Sequence, residues 1–423
     1  MSRTLVPDEQ AIGRSVVVNQ RRYALPRRPT VVICLDGFDP AYLDHGIEND
    51  ILPTMQRFGR NGHVGFANCS MPSTTNTNNT SIVTGVPPAV HGINGNYYLD
   101  AETGEEVMVT DARRLRCGTI LGAISEAGVR TAVVTAKDKL LKVLAYGMKG
   151  VAFSSEHADR VTSTVNGIDN VEALVGRPRP DQYSADLSLF VLDAGVRLLA
   201  SQQPMLMYLS TSDYVQHKYA PGAPESNAFL AAVDARIAAL LELGATVAIT
   251  ADHGMNDKSG PAGDPNVVYV EDEIATRFGE GVVRVICPIA DPFVRHHGAL
   301  GSFVRVHLRQ PADLAAMMAF VRTLPGVELV LDKAEVCSRF DLPVDREGDF
   351  AVFADRQTVV GARRRDHDLS QLAGERLRSH GGLGEQRVPF MLSRSLTPSY
   401  AERAGTATIH NYDIFDFALN GVE

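Results

Sequence analysis

The chain has 423 residues, 44% of them hydrophobic, with a formal net charge of -9 and a pI near 5.8. That is enough apolar content to bury one large domain, or a core with a smaller second domain. The acidic balance argues against a nucleic-acid partner, whose phosphates call for clustered Lys and Arg, and the basic pieces at residues 21–22, 27–28 and 363–365 are short enough to read as solvated surface.

Along the chain, Arg3, Asp8, Glu9, Arg14 and Arg21 interrupt every N-terminal apolar stretch. No later run approaches the length of a bilayer span, so the expectation is a soluble, unexported protein with no membrane contact. Residues 30–35 (TVVICL) read as a strand buried on both faces, ending at Asp36. A helix is predicted from Pro53, a proline suited to a first turn, to a stop at Asn61-Gly62. Residues 71–80 (MPSTTNTNNT) read as a polar loop running into a short helix at 81–85, which puts Thr75 near a helix N-terminus, where free backbone N–H groups favour anions. A helix from Leu121 stops at Gly128, and the strand at 130–136 ends on Lys137-Asp138-Lys139.

Two further strands follow, MLMYL and ATVAI, ending in STSDYVQH at 210–217 and TADHG at 250–254. The amphipathic helix at 223–243 links them into a strand–helix–strand unit. From about Gly260 to Asp368 the texture changes to an alternating strand at 302–308, a helix at 311–322 and further short strands at 327–331 and 350–354. Ser379-His380-Gly381, a strand at 388–392 and a closing helix at 412–419 end the chain. The five cysteines, Cys34, Cys69, Cys117, Cys287 and Cys337, are odd in number and widely spaced, with no Cys-x-x-Cys. Neither a disulfide framework nor a thiolate metal site is indicated, and a reducing, cytoplasmic setting is expected.

A single Asp or His at a strand end is usually a cap or turn former. Here Asp36, Asp213, Asp252 and His253 all end apolar strands and so gather at the carboxyl edge of a parallel sheet, where open α/β folds place their chemistry. A carboxylate beside an imidazole on adjacent strand ends suits a borderline-soft divalent metal such as zinc, and two such pairs suggest two metals. A hydroxyl beside them could come from Thr75, at the expected helix N-terminus, or on the residues alone from Ser73 or Thr74. The remaining histidines His45, His63, His91, His157, His307, His367 and His410 read as structural or surface groups.

Taken in order, Asp36, Thr75, Asp213 with His217, Asp252-His253 and His380 give the chain the look of the metal-dependent alkaline phosphatase superfamily, which it resembles over most of its length. The resemblance implies an α/β, alkaline-phosphatase-like core at 1–259 and 376–423, with a mostly parallel central sheet flanked by helices. A smaller α+β cap would be inserted at 260–375. It also implies two zinc ions, one on Asp213, His217 and His380, the other on Asp36, Asp252 and His253 with the Thr75 oxygen. His380 enters only through this resemblance. Thr75, directly before Asn76, becomes a zinc-activated nucleophile that forms a phosphothreonine, later hydrolysed by hydroxide on the other zinc.

The segments MPSTTNTNNTSIVTG, GNYY and TAKDKL look most like the phosphonoacetate hydrolases of that superfamily, which cleave a carbon–phosphorus bond to give acetate and phosphate. By that resemblance Asn96 contacts a phosphonate oxygen, Lys137 and Lys139 hold the substrate carboxylate, and Arg295 completes that site, with His296 and His297 beside it. The partner is then a small phosphonate, and a homodimer is compatible with the sequence. The rival within the superfamily is a nucleotide pyrophosphatase or phosphodiesterase, which shares the metal set but needs an aromatic slot for a base. A cofactor-independent phosphomutase fits less well, its nucleophile normally being serine. The rival from another class, an inactive zinc-binding scaffold, is disfavoured by the intact Thr75.

Overall fold

The computed structural model describes residues 14–100, 103–291, 297–372 and 374–423. The strands that build its two main sheets are, in chain order, β1 (Thr30–Cys34), β2 (His63–Asn68), β3 (Thr131–Thr135), β4 (Gly150–Ser154), β5 (Leu206–Ser210), β6 (Thr246–Thr250), β7 (Val283–Ile286), β8 (Phe303–Leu308), β9 (Val327–Asp332), β10 (Phe350–Ala354) and β11 (Arg387–Leu392). The first sheet has seven strands in the order β2-β11-β6-β1-β5-β3-β4. Its pairs from β6 to β4 are parallel, while β11 runs antiparallel to both β6 and β2. Strands β1, β3, β5 and β6 are buried along their whole length, which is why they read as unbroken apolar runs.

The helices used below are α1 (Pro53–Asn61), α2 (Thr75–Thr84), α3 (Asp138–Leu144), α4 (Ala185–Ser201), α5 (Tyr214–Lys218), α6 (Pro224–Glu242), α7 (Val270–Phe278), α8 (Leu314–Val321) and α9 (Ile414–Asn420). Phe190, Leu198, Val233, Ile237, Phe415 and Phe417 from α4, α6 and α9 join the strands in one apolar cluster. Helix α6 connects β5 to β6 as expected, but the two strands are not neighbours. Strand β1 lies between them, so Asp36 stands between the two Asp/His strand ends.

The expected loop at 71–80 is instead largely helix, with Thr75 as the first residue of α2 and left-handed Gly85 closing it. The run TNTNNT is a poor helix former because short polar side chains compete with the backbone. Here they fold back on it: Asn79 Nδ2 donates to Thr75 O at 3.2 Å and Thr80 Oγ1 to Asn76 O at 2.6 Å. Every residue of α2 is buried, so tertiary packing overrides propensity.

Helix α1 illustrates how one element completes another. Its preceding residue, Leu52, offers no side-chain cap, and the buried Asp234 of α6 accepts from Thr54 N and Met55 N, each at 2.9 Å. A carboxylate there also meets the positive end of the helix dipole. Asp234→Ala, which strands two buried N–H groups, is expected to cost about 2–4 kcal/mol. An unchanged denaturant midpoint would show that water replaces the carboxylate.

Strands β7 to β10 form a second, four-stranded antiparallel sheet, ordered β7-β8-β10-β9. It packs with α7 and α8 around an apolar cluster separate from the first, including Ile274, Val304, Met317, Val321 and Val352. The alternation expected at 302–308 does not expose one face. Arg305 is fully buried and donates from Nε to Glu347 Oε1 at 2.7 Å, so the polar position is satisfied inside rather than by water. Among the described residues, no helix is long and apolar enough to cross a membrane.

Candidate metal centre

Four of the five parallel strands of the first sheet carry a functional side chain just past their carboxyl ends. Asp36 follows β1, Lys137 follows β3, Asp213 follows β5 and Asp252-His253 follow β6. His217 sits on α5, one turn beyond Asp213, and His380 returns from the far end of the chain. Two groups of buried donors result: Asp213, His217 and His380, and Asp36, Asp252 and His253. Within each group the ligand atoms lie within 4.8 Å of one another.

The three imidazoles are held alike. His217 Nδ1 lies 2.8 Å from Arg378 O, His253 Nδ1 2.9 Å from Gly254 O, and His380 Nδ1 2.7 Å from Ser73 O. A carbonyl only accepts, so each Nδ1 carries the proton and each Nε2 turns inward, an arrangement typical of metal-binding histidines. The Nε2 atoms meet the carboxylates: His217 to Asp213 Oδ2 at 3.1 Å, His380 to the same oxygen at 3.7 Å, and His253 to Asp36 Oδ1 at 3.2 Å and Asp252 Oδ2 at 3.7 Å. His253 and His380 stack with ring centroids 3.4 Å apart, which brings the two groups side by side.

The charges are those of a site built around cations. Burial and the nearby Asp36 push the Asp252 carboxyl up to about 8. Burial works against a charged His253, yet Asp252 and Asp36 hold it up to about 9. His380 is held neutral by burial and by its neighbours His253 and His217. Asp36 Oδ1 is buried against His253 Nε2. Three inward-facing imidazole nitrogens and three buried carboxylates fit divalent metals bound through nitrogen and oxygen.

Thr75 Oγ1 lies 3.3 Å from His253 Nε2, at the edge of the second group. Ser73 and Thr74, the other candidates, are occupied elsewhere: Ser73 Oγ donates to Gly382 O at 2.8 Å and Thr74 Oγ1 pairs with Thr77 Oγ1 at 3.0 Å. Asn96 Oδ1 accepts from Asn76 N at 3.2 Å, which ties that amide to the first turn of α2 beside Thr75.

The two lysines are placed differently from each other. Lys137 Nζ donates to Asp36 Oδ2 at 2.6 Å and to Asp213 Oδ1 at 2.8 Å, joining both donor groups. Burial disfavours its charge, but Asp213, Asp36 and Asp252 raise its pKa well above the usual lysine value. Lys139 Nζ pairs with Asp291, just after β7. Both lysines line a cavity of about 260 Å³ with Thr110, Lys142, His157 and Asp291. Arg295 and His296 lie outside the described residues; His297 is buried and stacks on His217 at 4.9 Å.

Several contributing residues escape a reading of the sequence. Asn79 Nδ2 donates to Asp252 Oδ2 at 3.1 Å, while its Oδ1 accepts from Tyr208 and Ser210 at 2.8 and 2.9 Å. The signal was the four-residue spacing from Thr75, which means one helical turn only once α2 is known to begin there. Asp291 carries no such signal.

The sequence profile of the family described as "Type I phosphodiesterase / nucleotide pyrophosphatase" matches residues 30–382. Phosphonoacetate hydrolase from Sinorhizobium meliloti 1021, solved in complex with phosphonoformate, is 48% identical with a TM-score of 0.92, covering 96% of this chain and 98% of that one. The same enzyme in complex with phosphonoacetate gives 47% and 0.90 over the same shares. Murine ectonucleotide pyrophosphatase / phosphodiesterase 5, at 16% identity and a TM-score of 0.58 over 87% of this chain and 88% of that one, shares the fold. A phosphonoacetate hydrolase of Penicillium oxalicum is 59% identical over 32 residues, 8% of this chain and 44% of that protein. An uncharacterized pyrophosphatase/phosphodiesterase of Schizosaccharomyces pombe is 42% identical over 76 residues, 18% of this chain and 15% of that protein. The chain thus matches less than half the length of these last two relatives.

Proposed function

Because this chain belongs to the type I phosphodiesterase / nucleotide pyrophosphatase family, with an alkaline-phosphatase-like fold, we propose that it hydrolyses the carbon–phosphorus bond of phosphonoacetate to acetate and phosphate. The observation that carries this reading is that Lys137 and Lys139 line one cavity, with the Lys137 ammonium also bonded to Asp36 and Asp213, one from each donor group. Thr75 Oγ1 lies 3.3 Å from His253 Nε2, which meets Asp36 at 3.2 Å, and Asp36 in turn holds Lys137, so a phosphoryl group at Thr75 would direct the carboxylate of so short a substrate toward the lysine side of the rim.

In this reading Asp213, His217 and His380 hold one zinc ion, and Asp36, Asp252 and His253 with the Thr75 oxygen hold the other. When bound, the two cations supply Lewis acidity: they lower the pKa of the threonine hydroxyl and neutralise phosphoryl charge. Thr75 gives up its hydroxyl proton, and its Oγ forms a bond to phosphorus as the carbon–phosphorus bond breaks. The departing electron pair passes into the carboxylate as an enediolate and takes up a proton to give acetate. Water then cleaves the phosphothreonine, releasing phosphate and restoring Thr75. Asn96, already anchored to the first turn of α2, presents its amide to a phosphonate oxygen. Lys137 and Lys139 stabilise the carboxylate as its charge grows, which makes a carbanion an acceptable leaving group. Segment 260–375, with its separate apolar cluster, acts as a cap that brings Asp291 and His297 to this rim, and Arg295 completes the carboxylate site.

A nucleotide substrate is the second reading, favoured by the family's own description. It is poorly served by a cavity whose described lining has three lysines and no Phe, Tyr or Trp. Phosphate release from phosphonoacetate, compared with phosphonopyruvate, 2-aminoethylphosphonate and a nucleotide diester, separates the two. Preferential cleavage of the diester would overturn the first reading.

Metal content follows from the same assignment. The purified chain is expected to carry about two zinc ions, to lose activity when chelated and to regain it with added zinc. Asp252 and His253 hold protons more tightly than usual in the metal-free chain, and both must release them to become ligands. Metal uptake therefore releases protons and weakens as pH falls. One ion per chain, or uptake indifferent to pH, would refute the two-site arrangement.

A further inference from the structure

Every ammonium group expected to receive the substrate carboxylate already holds a carboxylate of the chain. Lys137 bridges Asp36 and Asp213, and Lys139 pairs with Asp291. The two pairings differ in how they can be released. Asp36 and Asp213 belong to the donor groups, so cations held there would compete with Lys137 for their charge. Asp291 belongs to neither group, so its pairing with Lys139 does not depend on the donors a metal would take. Asp291 and the side chain of Lys139 are nearly buried, in the cavity that the lysines line. A buried carboxylate on a buried ammonium is a strongly held pair, so a second carboxylate arriving at Lys139 must displace it or share it.

We propose that Asp291 is a specificity-determining residue: it occupies Lys139 as an internal counterpart of the substrate carboxylate and yields that position when phosphonoacetate binds. This rests on the reading of Lys139 as a carboxylate-binding residue. Asp291 thereby keeps Lys139 neutralised against solvent anions and sets a threshold that favours a ligand whose phosphonate is simultaneously anchored at the metal centre over a simple carboxylate such as acetate, the product. The side chain acts through Lys139 and touches no reacting atom.

The test is steady-state kinetics of the zinc-loaded chain with phosphonoacetate and with an aryl phosphonate ester lacking a carboxylate, together with competitive inhibition by acetate. Asp291→Asn, close in shape, is expected to lower KM for phosphonoacetate and the inhibition constant of acetate by about tenfold, the scale of one charge-assisted hydrogen bond. The ratio of the two substrates' KM values shifts accordingly. In a Lys139→Met background the same substitution is expected to leave that ratio unmoved, because the partner it frees is gone. A ratio unchanged by Asp291→Asn, a higher KM for phosphonoacetate, or a shift that persists without Lys139 would each overturn the proposal, the last by showing a general field effect. Asp291→Ala serves as a second variant should the asparagine form be poorly folded. The unaltered chain is measured first: absence of phosphate from phosphonoacetate would remove the functional reading itself, whereas normal turnover with an unmoved ratio would remove only the role of Asp291.

Discussion

Thr75→Ala is expected to abolish phosphate release, by about four orders of magnitude or more, while the chain stays folded and keeps its metals. The size follows from removing the attacking atom, for which binding and electrostatics alone compensate poorly. The fold should tolerate the change. Thr75 is the first residue of α2, and its hydroxyl contributes one contact, to His253 at 3.3 Å. Alanine is a better helix former than threonine, and all six imidazole and carboxylate donors remain. Thr75→Ser, which retains the hydroxyl, should keep substantial activity. Phosphate release read beside metal content decides the matter: near-normal turnover with alanine would falsify the nucleophile assignment. Loss of metal as well as activity would instead make the Thr75 oxygen chiefly a ligand.

How far the sequence discloses this site depends on which physical signal each residue leaves. The strands are visible because β1, β3, β5 and β6 are buried on both faces and must be continuously apolar. Their ends are visible because Asp36, Asp213 and Asp252-His253 break those runs with groups that are costly to bury unless something compensates them. His380 is different. It reaches the site from a short strand after the second sheet, and local spacing says nothing about where such a return will land; only the likeness of the whole ordered set placed it. The start of α2 was hidden by residues that are poor helix formers until their side chains find backbone carbonyls, and with it went the one-turn relation between Thr75 and Asn79. The order of β5, β1 and β6 was hidden as well, since a helical connection between two strands does not state what lies between them.

The lysines show the same limit from the chemical side. Their adjacency at a strand end reads as a pair with one task, yet one residue between them sends the two ammonium groups to different partners. Lys137 reaches back to Asp36 and Asp213, whereas Lys139 meets Asp291. Sequence alone does not contain that division, because it arises from where β7 and the segment after it settle over the rim.

The division yields the second large effect. Lys139→Ala is expected to reduce kcat/KM for phosphonoacetate by about 100- to 1000-fold, the range seen when one donor to a developing anion is removed. An aryl phosphonate ester, whose leaving group carries its own charge, should lose far less. Most of the loss should fall on kcat, because the carboxylate gains charge only as the carbon–phosphorus bond breaks and the ammonium interaction is strongest at that moment. Lys137→Ala should behave differently. Its ammonium also balances Asp36 and Asp213, so its removal should lower turnover of both substrates and alter metal affinity. Measuring both variants on both substrates, with metal content, separates the roles. Equal losses for Lys139→Ala on the two substrates would show that Lys139 does not hold the carboxylate. The carbon–phosphorus chemistry would then have to rest on Lys137 alone, a residue whose charge is largely committed to the donors beside it.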